Sequence, residues 1–86
     1  MPIPLKTMPL SELPAGEHAC VMALGLGRGI SARLTTLGFT PGAELTMIQN
    51  YGHGPLVVTI RDTRIALGRR EAQSILIQRI PNDPLL

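Results

Sequence analysis

The sequence predicts one small, mainly β domain: a partly closed antiparallel barrel of about five strands with a single short helix inserted after the first strand. Three observations predict it. The chain has 86 residues, enough for one core and too few for two. Apolar residues make up 44% of it, too many for a disordered chain, and Phe39 and Tyr51 are its only aromatics, so the core must be aliphatic. From residue 43 onward, short runs of alternating apolar and polar residues are separated by Gly, Pro, Asn or Asp at hairpin spacing.

The elements follow in order. Residues 1–9 contain Pro2, Pro4 and Pro9 and are expected to form an extended, flexible tail. Leu10-Ser11-Glu12-Leu13 makes one helical turn that Pro14 stops, and Ala15-Gly16 turns the chain. Residues 17–24 read as the first strand, with Ala19, Val21 and Ala23 on one face and His18, Cys20, Met22 and Leu24 on the other. Both faces are apolar enough to meet something, and the alternation does not say which one is the core. Gly25-Leu26-Gly27-Arg28-Gly29 is a flexible loop. Ile30, Leu34 and Leu37 then recur at helical spacing, which predicts a short helix with one buried stripe and with Arg28 and Arg33 off that stripe. Gly38 ends the helix, and Phe39-Thr40-Pro41-Gly42 is a tight turn, with Pro fixing φ and Gly permitting φ > 0.

Three short strands come next, over residues 43–51, 56–61 and 64–67. Leu45 and Met47 alternate with Glu44 and Thr46 in the first; Leu56, Val58 and Ile60 share a face of the second; Ile65 and Leu67 share a face of the third. Residues 51–55 turn the first into the second, and Asp62-Thr63 is the expected two-residue hairpin connection to the third. Residues 68–73 form one helical turn, and residues 74–80 the last strand, with Ile75 and Ile77 on one face. Residues 81–86 are a second loose tail. The whole chain is thus one domain, 1–86, with its folded core over about residues 10–80.

Several chemistries are excluded on residue type and spacing. The glycine loop lacks a third glycine, because Ile30 stands there, and no G-K-[ST] follows, so it is no nucleotide cradle. The carboxylates Glu12, Glu17, Glu44, Asp62 and Glu71 fall singly on turns and strand edges, and none forms an acid/base pair. The chain is therefore expected not to be an enzyme and to need no cofactor. The formal charge of +2 comes from scattered arginines, and two aromatics cannot make a stacking platform, which argues against nucleic acid. The lone thiol, Cys20, rules out an internal disulfide and fits a reducing cytoplasm. The longest near-apolar run, residues 19–27, falls well short of the ~20 residues that span a bilayer. What remains is protein contact. Leu24, Leu26, Phe39, Leu56 and Leu76 look surplus to one small barrel, and they either close its open ends or form an interface.

The order of motifs resembles the FeoA family. It runs Leu10-x-x-Leu13-x-x-Gly16, Ala19-x-Val21, Arg33-Leu34-x-x-Leu37-Gly38-Phe39-x-Pro41-Gly42, Gly54-Pro55, Ile65-Ala66-Leu67-Gly68-Arg69, Ala72 and Ile75-x-Ile77. The Leu-Gly-Phe-x-Pro-Gly turn, followed at the right distance by Ile-Ala-Leu-Gly-Arg, is the specific part of the match. The resemblance implies an SH3-like barrel, also found at the end of DtxR-like iron-dependent repressors. It further implies a cytoplasmic accessory role in bacterial ferrous iron uptake beside FeoB, the membrane GTPase that imports the ion, and recruitment to the inner face of the membrane through that partner rather than by insertion. The family supplies no residue-level active site, and its motif residues read as architecture: Leu34, Leu37, Val21, Ile65, Leu67, Ile75 and Ile77 as core, Gly38 and Pro41-Gly42 as turn formers.

Partner contact is expected at the elements the core does not consume. These are Leu26, Arg28 and Arg33 around the helix start and Tyr51 and His53 at a hairpin tip, whose mixed apolar and basic character suits binding hot spots. Self-association is a further expectation. The alternative is a small iron- or zinc-binding sensor or shuttle that uses His18 and Cys20, which point the same way from one strand, with His53 approaching from a turn.

Overall fold

Alternating apolar and polar side chains in the second half of the chain become hydrogen-bonded strands whose apolar members share one face. The computed structural model describes residues 7–25 and 28–81, with Arg28 described in its backbone alone. Its strands are β1 (Met8–Pro9), β2 (His18–Leu24), β3 (Glu44–Gln49), β4 (Leu56–Ile60), β5 (Thr63–Leu67) and β6 (Ile75–Ile80). A 3-10 turn (Leu10–Glu12) follows β1, and two helices, α1 (Arg28–Thr36) and α2 (Arg69–Gln73), follow β2 and β5. All pairings are antiparallel, in the order β1-β6-β2-β3-β4-β5. Cross-strand partners such as Ala19 and Leu45, Met47 and Val58, Val58 and Ile65, and Leu56 and Leu67 lie on the inner face. Those residues, with Val21, Leu34, Phe39, Ile60, Ile75 and Ile77, form one buried aliphatic cluster with a single aromatic ring in it.

The mainly β architecture holds, with a sixth strand. Met8 and Pro9, expected in an extended tail, pair with Ile77 and Leu76 at the edge of the sheet, where proline's missing N–H costs no ladder bond. The turn that follows drives Leu10 and Leu13 fully into the core. Phe39 and Leu56, which looked surplus, are fully buried as well, whereas Leu24 and Leu76 are half-buried. Leu26 lies outside the described residues.

The strand pairing shifts at two bulges, and the first also breaks the alternation. On β2, Ala19 and Val21 are buried as one face predicts, but Ala23 is exposed and Leu24 packs on the core. The pairing with β6 shifts between Val21 and Ala23, and the extra residue exchanges the two faces beyond it. On β3, a second shift in pairing lies between Met47 and Gln49, and Ile48, on the outer face by the alternation of Leu45 and Met47, is 41% exposed.

Helix α1 ends as its sequence requires. The Gly38 N–H donates to the Thr35 carbonyl at 3.0 Å and the Phe39 N–H to the Leu34 carbonyl at 2.9 Å, with Gly38 at φ +109° and Leu34 and Phe39 packed together in the core. This is a Schellman stop with its hydrophobic contact. The buried stripe is shorter than its spacing suggests: Leu34 is buried and Leu37 half-buried, but Ile30 is 38% exposed and borders α2. The next turn closes with the Ala43 N–H on the Thr40 carbonyl at 2.9 Å, with Gly42 at φ +91°.

The β4–β5 hairpin turns one residue earlier than expected. Ile60 pairs with Thr63, so the loop is Arg61-Asp62, at φ +51° and +61°. A two-residue turn with both φ positive suits the twist of the strands. Asp tolerates that region, whereas the β-branched Thr63 would be strained in it. The Arg61 stem also lies over Gly38, where an added Cβ would meet its Cδ at 3.1 Å.

Two stability outcomes follow. Leu34→Ala opens a cavity under α1 and should cost roughly 2–5 kcal/mol, read as a large fall in thermal midpoint. Asp62→Gly removes the left-handed strain at the hairpin and should raise stability by about 0.5–1 kcal/mol in a denaturant titration.

Candidate functional site

The β3–β4 connection, residues 50–55, is held from beneath by two side chains. Asn50 Oδ1 accepts the Gly52 N–H at 3.0 Å, and its Nδ2 donates to the Ser11 and Leu13 carbonyls, both at 2.9 Å. Arg69, the first residue of α2, donates through Nη2 to Asn50 Oδ1 at 2.9 Å, through Nε to the Gly54 carbonyl at 3.2 Å and through Nη1 to the Ser11 carbonyl at 3.3 Å. The planar guanidinium can serve all three because its donors are fixed in a fork. The loop turns through Gly52 and Gly54, at φ +87° and +73°. Tyr51 is left 72% exposed and His53 exposed on a backbone that is already positioned.

The other predicted contact element lies across α2. Arg33 on α1 donates through Nη1 to Glu71 Oε2 at 2.5 Å, yet its side chain stays 63% exposed. Glu71 Oε1 accepts the Gly68 N–H at 3.1 Å, which caps α2. Arg69 and Glu71, two residues apart, therefore tie α2 to the Tyr51–His53 loop and to α1 respectively. The side chains of Leu26 and Arg28 lie outside the described residues.

The three candidate metal ligands are dispersed. His18 and Cys20 are half-buried neighbours on β2; His18 Nδ1 is hydrogen-bonded with Thr46 Oγ1 at 2.8 Å, and the Cys20 thiol makes a weak contact to the Val21 carbonyl at 3.6 Å. His53 sits in the loop beyond the end of β3. Among the described residues, no three His, Cys, Asp or Glu side chains are grouped to hold a metal ion. No helix among them is long and apolar enough to cross a membrane.

Comparison with known proteins settles the kinship. The family model for the FeoA domain matches residues 8–79. The chain belongs to the FeoA family. No curated protein matches it significantly. Among solved structures, it is similar to the FeoA of Stenotrophomonas maltophilia complexed with zinc, at 36% identity over 81% of this chain and 88% of that one, with a TM-score of 0.74. That protein is described as a prokaryotic SH3 domain proposed as an activating factor for bacterial ferrous iron transport. The FeoA of Chlorobium tepidum is 30% identical over 88% of this chain and 73% of its own, with a TM-score of 0.80. A manganese-dependent transcriptional repressor shares the fold alone, at 16% identity and a TM-score of 0.82, over 91% of this chain and 44% of that one. The FeoA chain described here is thus an SH3-like barrel with a role in ferrous iron transport.

Sequence reasoning singled out the loop and the helix start but missed the side chains that hold them. Asn50 gave no signal beyond a polar residue at a strand end, and Arg69 stood out only as the last residue of the Ile-Ala-Leu-Gly-Arg motif, with no role attached. Replacing Arg69 by Met leaves the Gly54 carbonyl without its donor and takes one of two donors from the Ser11 carbonyl and from Asn50 Oδ1, at a cost of about 1–3 kcal/mol. Amide exchange should accelerate at residues 50–55 before it does in β4. Arg69→Lys should not restore protection, because one ammonium cannot span three acceptors.

Proposed function

We propose that this FeoA chain is an accessory protein that binds the cytosolic part of an FeoB-type membrane GTPase and regulates ferrous iron uptake, without chemistry of its own. The observation that carries this reading is Tyr51: the most exposed large apolar side chain among the described residues sits on a loop pinned by Asn50 and Arg69. An aromatic ring on a pre-set backbone loses little entropy on binding and supplies much contact area, which is the character of an interface anchor. His53 beside it adds a polar partner at the same tip, and Arg33 adds a cationic one across α2. The kinship with a proposed activating factor of ferrous iron transport points to the same kind of work. In this reading Leu26 and Arg28 also belong to the contact, and the chain works in the cytoplasm, at the membrane only while bound.

The test is a titration of the protein against the isolated cytosolic domain of its FeoB partner. Tyr51→Ala should weaken binding about tenfold or more, equivalent to about 1.4 kcal/mol, while the thermal midpoint stays close to that of the wild type. Tyr51→Phe should keep most of the affinity. Equal binding by the alanine variant would remove the loop tip from the interface.

A further inference from the structure

We infer that the groove between α1 and α2 is a recognition site for an acidic segment of the partner that carries an aliphatic side chain. The inference rests on the partner-binding reading above and assigns it a second contact point with defined chemistry. The groove is about 330 Å³ and is lined by Ile30, Arg70, Gln73 and Ser74. Ser74 engages its polar groups within the chain: its hydroxyl donates to the Glu71 carbonyl at 2.6 Å, and its own carbonyl accepts the Gly25 N–H at 2.7 Å. Ile30, 38% exposed, gives the groove an apolar wall. An aliphatic side chain seated there would complete the cover that α1 leaves undone at its first turn.

The rim is cationic. Glu71 is the one carboxylate within α2, and both its oxygens are engaged, one by Arg33 and the other by the Gly68 N–H. Arg70 is exposed and has no anionic partner among the described residues. Arg33 remains open on its outer side despite its ion pair. Arg70 is thus a guanidinium lining the groove without a carboxylate among the described residues, and a carboxylate arriving from outside can take its fork in a bidentate pair. A second copy of this chain is a poor complement, since each copy carries +2. An acidic strand or helix with one Leu, Ile or Val supplies both missing parts.

The experiment measures calorimetric binding of the full chain to the FeoB-type cytosolic domain for the wild type, Arg70→Glu and Ile30→Asp, with thermal melts as controls. Both replaced side chains are exposed, and aspartate in the first turn of a helix is favourable, so both variants should keep the fold. Each should lose tenfold or more in affinity. Wild-type binding should weaken as salt rises from roughly 50 to 500 mM, and Arg70→Glu should show a smaller dependence, because screening acts on the charge it lacks. Wild-type affinity in both variants would overturn the groove assignment and leave the FeoB reading standing. No binding by the wild type would overturn both. A concentration-dependent dimer that Ile30→Asp abolishes would assign the groove to a second copy and so overturn the acidic-segment proposal.

Discussion

The guanidinium of Arg69 joins three stretches of backbone that are far apart in sequence: the 3-10 turn after β1, the loop between β3 and β4, and the start of α2. Much of the surface depends on that junction. A helix of five residues such as α2 has too few internal bonds to stand alone. It is kept in place by Arg69 on one side, by Glu71 to Arg33 on the other, and by the buried Ala72 beneath. The 3-10 turn carries Leu10 and Leu13 into the core, and its carbonyls are the acceptors that Asn50 and Arg69 use. One cation held on neutral carbonyls thus sets where the turn, the loop and the helix lie relative to the barrel.

Around that junction, the sheet follows from an aliphatic inner face. Leu45, Met47, Val58, Ile60, Ile65 and Leu67 were legible because side chains alternate along a strand, and burial on one side leaves that alternation in the sequence. Gly38 and Pro41-Gly42 were legible for a different reason: only certain residues adopt the backbone angles a helix stop and a tight turn need. Ala23 was not, because a bulge is an event between two strands and neither strand records its partner's register. The hairpin was displaced by a single position for a similar reason. Asp62 is a turn residue in either register, and the choice falls to the strain that Thr63 would suffer.

The candidate contact surface divides in the same way. Tyr51 and His53 could be found because glycines flank an aromatic and an imidazole, which marks a tip rather than a strand. Arg33 could be found because it lies off the apolar stripe of α1. The roles of Asn50 and Arg69 could not, since they are set by carbonyls brought near by the fold. His18 and Cys20 show the reverse case: their spacing on one strand was read correctly, but the third ligand it called for belongs to a loop elsewhere. Iron-transport kinship was readable from the order of motifs, because that order is a record of the turns and core positions of the barrel.

The sheet order has a consequence for how the protein comes to exist. β6 lies between β1 and β2, so the latest strand in the chain completes the pairing of the two earliest ones. Val21 has no cross-strand neighbour at Ile77, and Met8 none at all, until residues 75–80 have been made. A growing polypeptide therefore carries unsatisfied strand edges until residues 75–80 have emerged. Such long-range closure slows folding and exposes sticky intermediates.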